Sequence, residues 1–230
     1  MSKKIIAILS IRSILIGVIG CTNKTTTTND NTVSSEYAEN IDTVISLGDT
    51  ISVDGNGVTV ENNKVIISSA GTYGISGTLK DGQIIVNTGD EDNVKLVLNG
   101  ANITSSNSAP IYVKNSKNAY LVLAEGSENI VTDGESYVFE DGTNKEPNAT
   151  IFSNDDLFIS GTGKLTVNSN YNNAIASDDD LEIGDANIDI ISVADGLRGK
   201  DSITISSGNI NINATGDGMK SNNTEDTSKG

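Results

Sequence analysis

Apolar and polar residues alternate along this chain, and the alternation returns on a fixed beat. Ile151, Ile175, Leu197 and Met219 stand 24, 22 and 22 residues apart. A second column, Leu157, Leu181 and Ile203, keeps step with it, as does a third, Leu165, Ile188 and Ile210. Stretches such as LEIGDANIDI, SITISSGNINI and VKLVLNG have a period of two and many β-branched side chains, the pattern of short strands. No long window carries the apolar stripe of period 3.6 that an amphipathic helix needs. Asn, Asp, Ser and Gly fall between the strands, where turns want them.

The beat predicts an all-β solenoid, a right-handed parallel β-helix of about seven coils, because one coil cannot bury its own apolar side chains but stacked coils share an interior. Coils spaced like parallel strands would form a stack about 35 Å long. The competing architecture is a sandwich or an ordinary barrel, which evenly spaced short strands also suit. The last repeat opens at GDGMKSNN and stops in TEDTSKG, before the second strand that earlier repeats supply. Bare strand edges there predict either further coils beyond Gly230, the favoured reading, or a partner that covers them.

The N-terminus reads as an address rather than as part of the fold. Lys3, Lys4 and Arg12 flank an apolar run from Ile5 to Ile19 that closes on VIGC. This is similar to a bacterial lipoprotein signal, with residues 1–20 removed and Cys21, the single cysteine, acylated. An uncleaved membrane anchor is the alternative, although the run is short for spanning a bilayer. Residues 21–42 read as a flexible polar tether, and residues 43–230 as one folded domain outside the cytoplasm.

Charge and missing residue types narrow the chemistry. The formal net charge is -16, and it becomes -19 once the three cations of residues 1–20 are gone. Such a surface repels nucleic acid and anionic membranes and favours cations. The chain has no His, so Ser-His-Asp and Cys-His nucleophile systems and His-ligated metal sites are excluded. No Gly-rich phosphate loop precedes a helix, so nucleotide binding lacks support.

What remains is oxygen chemistry. With the coils superimposed, one corner reads Asn154, Asp155, Asp156, then Asp178, Asp179, Asp180, then Lys200, Asp201, Ser202. A neighbouring corner supplies Asn173, Asp195 and Asp217. Turn preference alone accounts for any one of these residues. It does not account for three consecutive acids stacked beside an acid pair, and crowded carboxylates predict a counter-ion. Calcium fits, since it accepts six to eight oxygens in flexible geometry. A second set faces outward. If Ile111, Ile151, Ile175, Leu197 and Met219 point inward, then Tyr112, Phe152, Ala176, Arg198 and Lys220 form one exposed ladder. Arg198, Lys200 and Lys220 make its end basic, suited to the carboxylates of a uronic-acid polymer. Tyr112 and Phe152 offer a sugar a flat platform, unless the irregular insertion between residues 124 and 148 covers them. Arg198 and Lys200 could equally just neutralise Asp195 and Asp201.

The segments AGTYGISGTLKDGQIIV, VKLVLNGANIT, API, EPNATIFSNDDLFISGTGKLTV, NYNNAI and DGLRGKDSITI resemble bacterial carbohydrate-binding domain-containing proteins with a pectate-lyase-like parallel β-helix. The resemblance runs from about Val44 to the C-terminus, and DGLRGKD and IFSNDDL are its most specific parts. It implies extracellular polysaccharide binding, calcium at coil corners, and acidic or cellulosic plant-wall polymers as ligands, with the corner Asp and Asn residues and Arg198 as the matching positions. The family continues with further coils where this chain stops. Three functions compete: a lipid-anchored, calcium-dependent binding protein, which leads; a polysaccharide lyase using calcium with Lys200 or Arg198 as base; and a stalk or adhesin, which would need no basic ladder. The acids around Lys200 favour its charged form and so weigh against a base there.

Overall fold

The protein's structure is a computed structural model that describes residues 41–139 and 146–223. Cys21, the signal segment and nearly all of the tether lie outside the described residues. Among the described residues there is no helix.

Each coil runs through three strands and turns back under itself. Ala149–Ser153, Asp156–Ser160 and Lys164–Ser169 make one coil, and Asn173–Ser177, Asp180–Gly184 and Ala186–Ser192 make the next. Strand by strand these two coils pair in parallel: Ile151 faces Ile175, Leu157 faces Leu181, and Leu165 faces Ile188. The chain is therefore a parallel β-solenoid, of about six turns. The sandwich alternative fails because its strands would be antiparallel. The repeat spacing had suggested about seven coils, and the difference lies at the N-terminal end. There Thr43–Leu47 pairs antiparallel with Ser52–Asp54, and Val58–Glu61 pairs antiparallel with Lys64–Ile67. Thr43–Leu47 and Lys64–Ile67 still extend their walls in parallel, and their antiparallel partners Ser52–Asp54 and Val58–Glu61 take the place of a further parallel turn.

The stack has three walls. The first holds Lys64–Ile67, Gln83–Asn87, Ile111–Asn115, Ala149–Ser153, Asn173–Ser177, Leu197–Gly199 and Met219–Ser221. The second and third share one long strand, Asn93–Ser105, whose first half pairs with Asn118–Leu123 and whose second half pairs with Glu128–Asp133. That strand bends at Gly100, which has φ +73°. Beneath the bend Asn129 is buried, and its side chain satisfies the turned backbone. Its Oδ1 accepts the N–H groups of Gly100 and Ala101, both at 3.0 Å, and its Nδ2 donates to Ser127 Oγ at 2.8 Å and to Lys164 O at 3.1 Å.

The columns read from the sequence line the interior. Ile151, Ile175, Leu197, Leu165 and Leu181 are fully buried, each worth about 1.5–3 kcal/mol of hydrophobic burial. The ends of the columns behave differently. Met219, expected to point inward and be covered, is 49% exposed, because no described coil lies beyond its strand to close over it. Ile203 and Ile210 are only partly buried for the same reason.

A groove on the first wall and its acidic corner

The outward ladder exists as expected and extends further back than expected. Ile66, Ile85, Tyr112, Phe152, Ala176, Arg198 and Lys220 are successive cross-strand neighbours on the outer face of the first wall. Its middle is sealed. Phe152 and Ala176 are fully buried, packed with Ala109 and Ala149 under Tyr137. Phe152 is therefore not the exposed sugar platform expected of it, and the ladder is covered where the insertion crosses it. That insertion is shorter than expected: residues 128–133 form a regular third-wall strand, and the departure from the repeat begins at Gly134. It is pinned by a buried acid. Asp133 Oδ2 accepts the Tyr137 hydroxyl at 2.7 Å, Asp133 Oδ1 accepts the Asn170 N–H at 2.5 Å, and Tyr137 stacks on Tyr171 at 4.1 Å between ring centroids. Burial pushes the Asp133 carboxyl up despite these donors, and burial with the Asp133 charge pushes the Tyr137 phenol far up.

What the insertion leaves open is a groove of about 760 Å³. Ile66, Ile85 and Tyr112 form its floor; Val138, Phe139 and Pro147 of the insertion form one bank; Lys64, Gln83, Asn87, Lys114 and Asn154 supply amide and ammonium groups, and Glu61 and Glu146 two carboxylates. A flat apolar floor between amide and ammonium groups is the chemistry that a sugar ring asks for: a face to stack on and hydrogen bonds at its rim. Of these residues Tyr112 and Asn154 were read from the sequence as parts of a site, Tyr112 as a sugar platform and Asn154 as a corner oxygen. Ile66 and Ile85 extend the same ladder and could have been found by carrying the repeat back past Ile111; the bank from the insertion has no repeat and left no signal.

The corner acids do come into register. Ser153 faces Ser177 and Ser177 faces Gly199, so the corner residues that follow, Asn154, Asp178 and Lys200, then Asp155, Asp179 and Asp201, lie one above another. Some of their oxygens are employed within the stack. Asp155 Oδ2 accepts the Ser116 N–H at 2.8 Å, Asp156 Oδ1 the Asp180 N–H at 3.2 Å, and Asp180 Oδ1 the Ser202 hydroxyl at 2.8 Å. Crowding shows in their acidity. Burial, then Asp156, Asp201 and Asp155, pushes Asp179 up, and burial with Asp90 and Asp156 does the same to Asp155. Asp178 is pushed up by burial and by Glu146, whose carboxyl it meets through a hydrogen bond, against the pull of Lys200 and Arg198. Glu146 also lines the groove, so the groove and the basic end of the ladder meet at this pair.

The neighbouring corner is separate. Asp195 Oδ1 accepts the Asp217 N–H at 2.9 Å, and Lys220 reaches Asp195 at 3.5 Å and Asp217 at 3.1 Å. Lys220 thus spends its charge on the corner acids. Arg198 Nε donates to Asn222 Oδ1 at 3.4 Å and is half-buried; Lys200 is exposed.

Among the described residues no three acids stand close enough together to hold a metal ion. A mixed oxygen set does present itself at the corner beside the groove. Asn154 Oδ1 and Ser116 Oγ are buried with no hydrogen-bond partner, next to the Asp155 carboxylate that Ser116 contacts. Orphaned neutral oxygens beside a carboxylate are a donor set that calcium accepts, so the residues of this corner fit that ion.

The model of the carbohydrate-binding domain-containing protein family matches residues 61–230. A carbohydrate-binding domain-containing protein of Acetivibrio thermocellus is 47% identical over 135 residues, covering 59% of this chain and 47% of the relative. The chain thus spans about half the length of the curated relative it matches. A solved polysaccharide lyase-like protein from C. thermocellum, a gadolinium derivative, is 45% identical with a TM-score of 0.80, over 83% of this chain and 77% of that one.

Proposed function

Since this chain belongs to the family of carbohydrate-binding domain-containing proteins, we propose that it captures acidic plant-wall polysaccharide of the polygalacturonate type, or cellulosic chains, in the first-wall groove without cleaving them. The observation that carries this reading is the groove itself, an Ile66–Ile85–Tyr112 floor with amide and ammonium groups at its rim. Tyr112 stacks on a sugar ring, and Lys114 and Lys64 meet the carboxylates of a uronate. Arg198 and Lys200 continue the basic track past the insertion. In this reading Ser116, Asn154 and Asp155 at the corner beside the groove would hold calcium, which would supply positive charge for a uronate carboxylate. The chain works outside the cell, tied to the membrane through a lipid on Cys21.

The lyase reading has less to rest on. It needs Lys200 or Arg198 as the proton-abstracting base, and both of these cations direct their charge at Asp178, one of the corner acids. The test mixes the protein with polygalacturonate, with calcium or with chelator, and follows gel retardation together with ultraviolet absorbance from unsaturated product. Retardation that needs calcium and yields no absorbance is expected. Absorbance growing with time would replace this reading with a lyase, and neither signal would leave a stalk. Calcium alone should raise the melting temperature of the wild type and not of Asp155→Asn; equal shifts in both would remove the ion from that corner.

A further inference from the structure

On the outer face of the second wall a different ladder runs Thr72, Lys95, Tyr120, Phe158, Glu182. We propose that this ladder carries a second carbohydrate site, separate from the first-wall groove, in which the open face of Tyr120 stacks on a uronic-acid residue and Lys95 pairs with that residue's carboxylate.

The geometry begins with the two rings. Tyr120 and Phe158 have centroids 4.9 Å apart and planes within 19° of parallel. That separation is the spacing of neighbouring parallel strands, so the ring planes lie across the stacking direction of the coils. One face of Tyr120 is consequently covered by Phe158. The other looks toward the preceding coil, where a hollow of about 320 Å³ is lined by Gly71, Thr72, Asn93, Val94, Lys95 and Tyr120, with no part from Phe158. The hollow therefore lies against the free face of the Tyr120 ring and has room for a sugar residue. It exists because the rungs before Tyr120 carry Thr72 and the flexible Lys95 rather than another ring.

Its chemistry selects the guest. Aromatic faces stack on the C–H face of a pyranose, and Phe158 behind Tyr120 holds that ring in place. Asn93 uses its Oδ1 to accept from Asn118 Nδ2 at 2.8 Å, which leaves its own amide N–H groups for sugar hydroxyls. Lys95 is exposed, has uncharged ladder neighbours on both sides, and makes no ion pair among the described residues. The nearest acid along the ladder, Asp42, spends an oxygen on the Thr72 N–H at 2.8 Å, so in a chain of net charge -16 Lys95 is a cation without an ion pair, suited to an anion from outside, and beside an open ring that anion is a sugar carboxylate. Two sites on different walls would let one molecule bridge two polymer chains, with the gain that linked sites confer.

Trigalacturonate is the probe, titrated into the full chain by calorimetry and followed by amide shifts of Lys95 and Tyr120. Tyr120→Ala and Lys95→Ala should each lower the number of trigalacturonate molecules bound from two to one, or weaken the second by about tenfold, while Tyr120→Phe keeps both. Long polygalacturonate should become turbid with the wild type and stay clear with Tyr120→Ala, which remains able to retard it in a gel. Unmoved Lys95 and Tyr120 amides, or wild-type stoichiometry with wild-type affinity in both variants, overturns the site. If Tyr120→Ala fails to fold, Lys95→Ala, at an exposed position, decides alone. Tyr112→Ala separates the two walls: trigalacturonate that still moves the Lys95 and Tyr120 amides in this variant keeps this site, loss of all binding discards it, and unchanged two-site binding discards the groove.

Discussion

Tyr112 and Phe152 occupy successive rungs of one outward ladder, with ring centroids 5.8 Å apart and planes tilted by 48°, yet Phe152 is sealed under the insertion while Tyr112 lines the open groove. Chemically similar neighbours thus have different work. Phe152→Ala should cost about 3–5 kcal/mol of stability by emptying a closed cluster, with sugar affinity falling only as far as the groove's bank shifts. Tyr112→Ala should do the opposite, melting near the wild type and losing most polysaccharide retention. Thermal melts and affinity gels on both variants check this; a large destabilisation in Tyr112→Ala alone would reverse the assignment.

Acidification should stabilise this solenoid, against the usual behaviour of acid-rich proteins. Asp133, Asp155, Asp178 and Asp179 all have carboxyl pKa values raised in the folded chain, with burial the leading cause in each. Between the ordinary carboxylate pKa and these raised values the folded state holds more protons than the unfolded one, so stability falls as pH rises through that window and is recovered as pH is lowered through it. Asp189, lowered by its hydrogen bond to Lys164, acts in the other direction, but at an exposed pair. The melting temperature is expected to climb from pH 7 toward pH about 4.5, and to climb less in Asp179→Asn. A melt that falls steadily over that range contradicts the prediction.

Two bend glycines separate strain from collision. Gly100 has φ +73° and a Cβ there would meet nothing within 4 Å; Gly161 has φ +105° and its Cβ would stand 2.2 Å from the carbonyl oxygen of Leu123 in the coil below. Gly100→Ala should therefore cost only the backbone strain, about 1–2 kcal/mol. Gly161→Ala has to push two coils apart as well and should destabilise clearly more. Urea midpoints of the two variants, measured side by side, decide it; equal losses would mean that the coils yield freely at the bend.

Arg198 donates its Nε to the neutral Asn222, and although its charge reaches Asp178 it forms no close ion pair among the described residues, which keeps part of its guanidinium for a ligand. Arg198→Ala should weaken polygalacturonate binding more than cellulose binding, because only the former presents carboxylates to its fork. Equal losses on both polymers, measured by gel retardation and by pull-down, would refute the role.

How much of this was legible beforehand depends on the repeat. Ile151, Ile175 and Leu197 could be placed on one inner column, and Asp155, Asp179 and Asp201 on one corner, from spacing alone. In a parallel stack equal positions in successive repeats must become neighbours, and only one register buries every apolar column. The same logic yields the Tyr120–Phe158 ladder once the coils are aligned, although nothing in the spacing says that their rings stack with one face left open.

Residues without a repeat counterpart stayed dark. The segment from Gly134 onward has no equivalent in the neighbouring coils, so nothing in its sequence says that Tyr137 lies over Phe152 and Ala176 or that Val138 and Pro147 bank a groove. Asn129 reads as one more turn-loving polar residue, yet it is a buried brace for the Gly100 bend. Local pattern thus determined the coil, its register and the stacking of like side chains, because those follow from a period and from burial. Which ladder positions are covered, which carboxylates find donors and where a hollow remains were decided only by tertiary packing, because each depends on a chain segment brought from elsewhere to lie across the repeat.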